Sequence, residues 1–278
     1  MSHSRVTIVG VGLLGGSLGL AIRLAMPDAE IVGFGHRPST IERAIACGAI
    51  HRGEPNLRRA VDGADLVILC TPVGLFEDLM EQFAPGLKTG AIVTDVGSTK
   101  RSIVRLAERL LPKGVHFVGS HPMAGSEKRG VEFARADLFR GNVCILTPAS
   151  HTEPAALRSV ANFWTLLGMT IRQISPEEHD QRLAEVSHLP HAVAAALVTM
   201  QDDESLQLLG KGFLDATRIS AGDGALWRDI FLDNRDNVHA AIGKLRATLD
   251  HLDSLLTDDN SDALRLWLDS AAQRRSQL

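Results

Sequence analysis

The chain has 278 residues, 45% hydrophobic and 22% charged, with a formal net charge of −4. That length exceeds what one hydrophobic core serves comfortably, so two domains are expected, and the composition excludes long disordered stretches. With no basic surplus and no apolar run of bilayer-spanning length, neither nucleic acid nor membrane is an expected partner.

In chain order, short apolar β-branched runs at 6–10, 30–35, 64–70, 91–96, 116–120 and 142–147 read as strands. Helical patterns such as LLGGSLGLAIRLA and GLFEDLMEQFA lie between them. Buried strands alternating with helices predict a parallel sheet covered on both faces. After about residue 150 the strand signal fades, apart from a brief MTIRQIS, and long helical patterns at 176–201 and 234–259 take over. The expected organisation is therefore a dinucleotide-binding domain over 1–150 and an all-helical domain over 151–278 that binds substrate and dimerises. The start, MSHSRVTIVG, enters a strand without a leader pattern, which predicts a cytoplasmic protein. Cys47, Cys70 and Cys144, odd in number and each in an apolar segment, read as reduced core residues.

The first strand runs directly into Gly10-Val11-Gly12-Leu13-Leu14-Gly15-Gly16, and a helix follows. This strand–turn–helix context is what a G-x-G-x-x-G dinucleotide fingerprint requires. Gly10 suits the tight turn, Gly12 the approach of the pyrophosphate and Gly15 the close packing of helix on strand, with Leu13 and Leu14 between them. The motif makes the first domain a Rossmann-type doubly wound α/β sheet. At the end of the second strand, where an acid would bond a ribose 2′-hydroxyl, the sequence has Gly35 followed by His36, Arg37, Pro38, Ser39 and Thr40. A guanidinium and two hydroxyls in place of an acid favour NADP over NAD. Thr71 and Pro72, just past the third strand run, complete the expected cofactor set.

Ligands of such sheets sit beyond the carboxyl ends of the strands. There the sequence places Gly97-Ser98-Thr99-Lys100 and His121-Pro122-Met123-Ala124-Gly125-Ser126-Glu127. Removing hydride from an alcohol needs a group to take the hydroxyl proton, and His121 titrates in a suitable range. Ser98 is the candidate to orient that hydroxyl. The chain contains no tyrosine, which excludes reductases that use a Tyr four residues before a Lys as proton donor. Farther on, Ser187-His188-Leu189-Pro190-His191 lies inside a helical pattern that Pro190 should kink. Its two histidines share a face, but no third ligand has zinc-site spacing, so no metal is expected. Arg218 is a candidate carboxylate clamp.

Together the segments GVGLLGGSLG, DVGST-K, GSHPMAGSEKRG, SHLPHAVAAAL, DATRIS and WRDIFLDN, in this order over nearly the whole chain, resemble the prephenate/arogenate dehydrogenases of tyrosine biosynthesis. The resemblance implies oxidative decarboxylation of prephenate with NAD(P)+ to 4-hydroxyphenylpyruvate, or of arogenate to tyrosine. It implies that His121 accepts the ring hydroxyl's hydrogen bond or proton with Ser98 assisting. It further implies that His191 and Arg218 contact substrate, that Ser126 and Glu127 lie at the pocket mouth, and that the helical domain forms a homodimer. The sequence departs from the family pattern at Gly35 and at Gly210-Lys211-Gly212, where some relatives have three glycines. No residues are expected to remain for a regulatory domain, so tyrosine inhibition would act at the active site. On the residues alone, another two-domain hydroxyacid or imine reductase, or an NADP-sensing regulator without chemistry, also fits the fold.

Overall fold

The protein is described from a computed structural model, which covers residues 3–125, 128–257 and 260–277. These residues form one eight-stranded sheet in the order β3-β2-β1-β4-β5-β6-β7-β8. The strands are β1 Arg5–Val9, β2 Glu30–Phe34, β3 Arg52–Gly53, β4 Leu66–Leu69, β5 Ile92–Asp95, β6 His116–Pro122, β7 Val143–Thr147 and β8 Thr170–Gln173. The first six are parallel, β7 runs antiparallel to β6, and β8 is parallel to β7. The helices are α1 Leu13–Ala25, α2 Pro38–Ala46, α3 Leu57–Val61, α4 Phe76–Phe83, α5 Arg101–Leu110, α6 Pro154–Leu166, α7 Pro176–Leu183, α8 Leu189–Thr199, α9 Asp203–Leu206, α10 Lys211–Thr217, α11 Gly224–Asp233, α12 Arg235–Thr257 and α13 Ser261–Arg275.

The central strands are apolar on both faces because helices cover both. Val6, Ile8, Leu66, Ile68 and Ile92 join a core with Leu18, Ile22, Phe139 and Trp164. Val9, Val67, Leu69 and Val93 face the other way, onto Phe76, Met80, Phe83 and Ile103. The alternation follows from the two-residue period of a strand, and each large side chain fully buried this way contributes roughly 1.5–3 kcal/mol. In the order β3-β2-β1-β4-β5-β6 the direction of winding reverses between β1 and β4, the switch point where such sheets bind nucleotides.

Several expectations need correction. The change of architecture expected at residue 150 comes later, since β8 pairs with β7 from Val143↔Thr170 to Leu146↔Gln173 and α6 packs beneath. MTIRQIS is therefore the last strand of the sheet, and the later part is not all-helical from 151. Cys47 is exposed at the end of α2, Cys70 is half-buried and only Cys144 lies in the core. By backbone contacts the chain divides after Asn234, with α7 packed on α5 and β7 and α11 on the turn before α4; the second unit holds α12 and α13, which pack on each other.

The long helix expected over 176–201 is one continuous run in three parts. A π-helical turn, Ala184–His188, separates α7 from α8. Pro190 explains it: proline has no N–H to give, and its ring would strike the carbonyl four residues back in a regular α-helix. One wide turn accommodates this where a kink was expected. Among the described residues no helix is long and apolar enough to cross a membrane.

Candidate active site

Along the carboxyl edge of the sheet, neighbouring strands present, in order, Gly35 after β2, Gly10 after β1, Thr71 after β4, Ser98 after β5 and His121 at the end of β6. Four strand spacings, about 19 Å, separate the first from the last. An extended ligand lying along this edge meets all five positions.

At the β1–α1 turn the glycines have distinct duties. Gly10 has φ +100°, and a Cβ there would lie 2.7 Å from Thr71 Cγ2. A Cβ on Gly15 would run into the Gly10 carbonyl oxygen, whereas one on Gly12 would meet nothing within 4 Å. Gly15 thus lets helix and strand touch, and Gly12 leaves open space. Gly12 is also the N-cap of α1, which has no acid in its first turn and no side-chain cap, so its amide donors face that space. Leu13 and Leu14 open the helix half-buried. Thr71 Oγ1 is buried and bonds to no described residue, and Pro72 is exposed at the start of the following turn. This cradle fits a dinucleotide pyrophosphate.

Beyond β2, His36, Arg37 and Ser39 are exposed and Thr40 is half-buried at the start of α2, whose first turn carries no acid. A Cβ on Gly35 would meet only the Ile41 side chain, with Cδ1 at 3.3 Å and Cγ1 at 3.7 Å, so the backbone does not demand glycine here. The missing acid is a property of the pocket, not of the turn.

His121 is buried, and its Nδ1 lies 2.9 Å from His179 Nε2. Burial, followed by the neighbouring His179, Lys100 and His188, holds its pKa well below the ordinary imidazole value, so the ring is neutral at neutral pH. Beneath it, Lys100 and Asp95 form a fully buried ion pair. Asp95 also accepts from Gly97 N–H at 2.8 Å and Ser120 N–H at 3.1 Å, while Lys100 donates to the Thr99 carbonyl at 2.8 Å. The pair ties the Ser98 loop to the strand that carries His121. Burial pushes the Asp95 carboxyl up, and the Lys100 ammonium with these two amides opposes it.

Ser98 is half-buried and does not cap α5. That role falls to Asp180, whose Oδ1 accepts from Lys100 N–H at 2.8 Å and whose Oδ2 accepts from Arg101 N–H at 2.9 Å. Asp180 Oδ1 is also 2.8 Å from His179 Nδ1. The Asn234 amide donates to the Asp180 carbonyl at 2.7 Å and lies 3.2 Å from His188 Nδ1. His188, fully buried, faces the Ser98 backbone, which favours its charged form, yet Nε2 makes no hydrogen bond with a described residue. Burial dominates and lowers its pKa to about 4.

His191 stacks on Trp227 with ring centroids 3.5 Å apart and planes 12° from parallel. Its Nδ1 is buried and bonds to no described residue, and burial lowers its pKa. A Cβ on Gly222 would fall 2.6 Å from Trp227 Nε1 and 3.1 Å from His191 Cε1, so the stack needs this glycine. Arg218 is exposed on the turn after α10, which packs against α8. Arg129, in the loop after β6, pairs with Asp223, the side-chain cap of α11. Ser126 and Glu127 lie outside the described residues.

Two family models meet on this chain where the sheet ends. The nucleotide-binding domain of prephenate dehydrogenase matches residues 18–173 and the dimerization domain of prephenate dehydrogenase matches residues 175–270. The chain belongs to the prephenate dehydrogenase family. A prephenate dehydrogenase of Bacillus subtilis is 34% identical over 98% of this chain and 76% of its own. A crystal structure of the prephenate dehydrogenase of Aquifex aeolicus, in complex with hydroxyphenyl propionate and NAD+, is 37% identical with a TM-score of 0.93 and covers 100% of this chain and 99% of that one. A Synechocystis arogenate dehydrogenase structure is 30% identical, with a TM-score of 0.85, over 98% of this chain and 99% of that one. Membership accounts for both the doubly wound sheet and the helical part that follows it.

Sequence reasoning gave no role to Asp95, Lys100, His179, Asp180 or Trp227 in this site. Asp95 and Lys100 bracket the Ser98 loop, a signal that was available. His179 and Asp180 read locally as two more polar residues in the first turns of a helix, and nothing nearby marks them.

Proposed function

We propose that this enzyme catalyses NAD(P)+-dependent oxidative decarboxylation of prephenate to 4-hydroxyphenylpyruvate. The observation that carries the reading is His121: a neutral, buried imidazole at a strand end, on the same sheet edge as the dinucleotide cradle, in a chain of this family. NAD(P)+, when bound in the cradle of Gly10, Gly12 and Gly15, supplies the hydride acceptor. His121 takes the proton of the ring hydroxyl as the ring carbon loses hydride, and returns it when the ring carboxylate leaves as carbon dioxide and the ring becomes a phenol. Ser98, one strand over, orients the hydroxyl. His191 and Arg218 contact the substrate, with the guanidinium taking a carboxylate.

For the cofactor, NADP is favoured. Arg37, Ser39 and Thr40 at the start of α2, with no acid at Gly35, suit a 2′-phosphate. The protein works as a homodimer, a reading supported by the matched dimerization domain and by exposed Leu249, Leu256, Leu266 and Leu268 on α12 and α13. It is taken to act in the cytoplasm.

Initial rates with prephenate and with arogenate, each against NAD+ and NADP+, test the reading. Turnover of prephenate, faster with NADP+, is expected. Oxidation of arogenate alone would move the substrate to the amino acid, and no turnover of either would remove the function.

A further inference from the structure

From the hydrogen bonds behind His121, we propose that His179 and Asp180 are positioning residues that fix His121 as its Nδ1–H tautomer and so leave Nε2 as the proton acceptor. The inference rests on His121 being the base. The first N–H groups of α5 have no partner within their helix, and those of Lys100 and Arg101 both point at Asp180. Two amides and the helix N-terminus stabilise a charge there. Burial opposes ionisation, but the His179 hydrogen bond and these amides prevail and lower the Asp180 pKa, so the group is a carboxylate and accepts only.

His179 Nδ1, 2.8 Å from Asp180 Oδ1, must therefore donate. His179 is fully buried, and burial keeps its pKa below the ordinary value despite the pull of Asp180 and Asp95, with Lys100 acting in the same direction as burial. A neutral ring has one N–H, already used on Asp180, so Nε2 is a lone pair. The only productive bond across the 2.9 Å to His121 Nδ1 then has His121 donating. One proton position thus determines the next, from the end of α5 to the reacting nitrogen. The arrangement is rigid because Asn234 holds the Asp180 carbonyl and the Asp180 side chain holds the helix end. When His121 takes a proton at Nε2, its Nδ1–H remains bonded to a ring backed by a carboxylate, which stabilises the imidazolium without moving a heavy atom.

Two variants and one spectrum test this. His179→Leu removes the acceptor, whereas in His179→Gln the amide oxygen reaches the position of the ring Nε2 and keeps it. With prephenate, kcat of the Leu variant should fall about a hundredfold while the Gln variant stays within about tenfold of the parent. KM should change little in either, and the acid limb of the pH–rate profile should move in the Leu variant alone. Nitrogen-15 spectra of the ligand-free parent should show His121 protonated at Nδ1 and bare at Nε2, and His179→Leu should lose that preference. Equal kcat losses in both variants, or a parent His121 protonated at Nε2, would overturn the proposal. The spectrum does not depend on turnover, so it reads the His121 tautomer even where prephenate proves not to be the substrate.

Discussion

The two ends of the ligand-binding edge are built in opposite ways. At the β1–α1 turn the work is done by backbone: glycines within one short segment, each needed for turn, access or contact. At the β6 end it is done by side chains from distant segments, with His121, His179, Asp180, Lys100 and Asp95 buried and bonded to one another. A phosphate is held by amide donors and a helix end, which any sequence supplies once room is made. A proton must be held at one named atom, and that needs particular side chains at set distances.

The comparison is broken most directly at the base. His121→Asn should lower kcat for prephenate about a thousandfold while cofactor affinity, read by quenching of intrinsic fluorescence, stays near the parent value. Next comes the support beneath it. Lys100→Met leaves the Asp95 carboxylate buried without its partner, and urea denaturation should show a loss of about 3–5 kcal/mol.

Acid should strike the side-chain end first. The His188 ring protonates at 6.5 in the unfolded chain but only near 4 when folded, so between those values the unfolded state binds the extra proton. Stability is therefore full above 6.5 and declines as pH falls towards 4, by on the order of 3 kcal/mol from His188 alone. His121, His179 and His191, all lowered, act in the same direction. Denaturation midpoints measured across this range that do not fall would contradict the buried, neutral histidines.

At the backbone end the effects are smaller. Gly15→Ala forces a methyl against the Gly10 carbonyl and should cost about 2 kcal/mol, with weakened dinucleotide binding as the accompanying sign. Arg37→Ala should raise KM for NADP+ about tenfold and leave that for NAD+ nearly unchanged, because a charge-assisted bond to the 2′-phosphate is worth about 1.5–3 kcal/mol before solvent screening at this exposed site. Equal effects on both cofactors would sharpen the contrast differently, by placing Arg37 outside the 2′-position.

The contrast also explains what was legible in advance. The strand runs from 6 to 147 and the span of α1 follow from apolar period and glycine placement, and the structure has them within a few residues. The β3 strand, Arg52–Gly53, is too short to leave a pattern, and the mostly exposed TIRQ of β8 left only the brief strand signal of MTIRQIS, too weak to show that the sheet continues there. Ser98 and His121 were singled out because each stands near the carboxyl end of an apolar strand run. His179 and Asp180 sit in an ordinary acidic helix start, and their task exists only because α7 lies across the first turn of α5.

By itself the sequence determined the dinucleotide cradle, the alternation of strand and helix, and the motifs that mark the family, because each is a short-range matter of backbone freedom or side-chain period. Tertiary structure alone decided that the sheet runs on to Gln173, that Pro190 is met by a π turn, and that Asp180, at the first turn of α5, is bonded to His179 and His179 to His121. Those are contacts between residues tens of positions apart. Hydrogen-bond direction passes through space and not along the chain, so only the folded arrangement contains it.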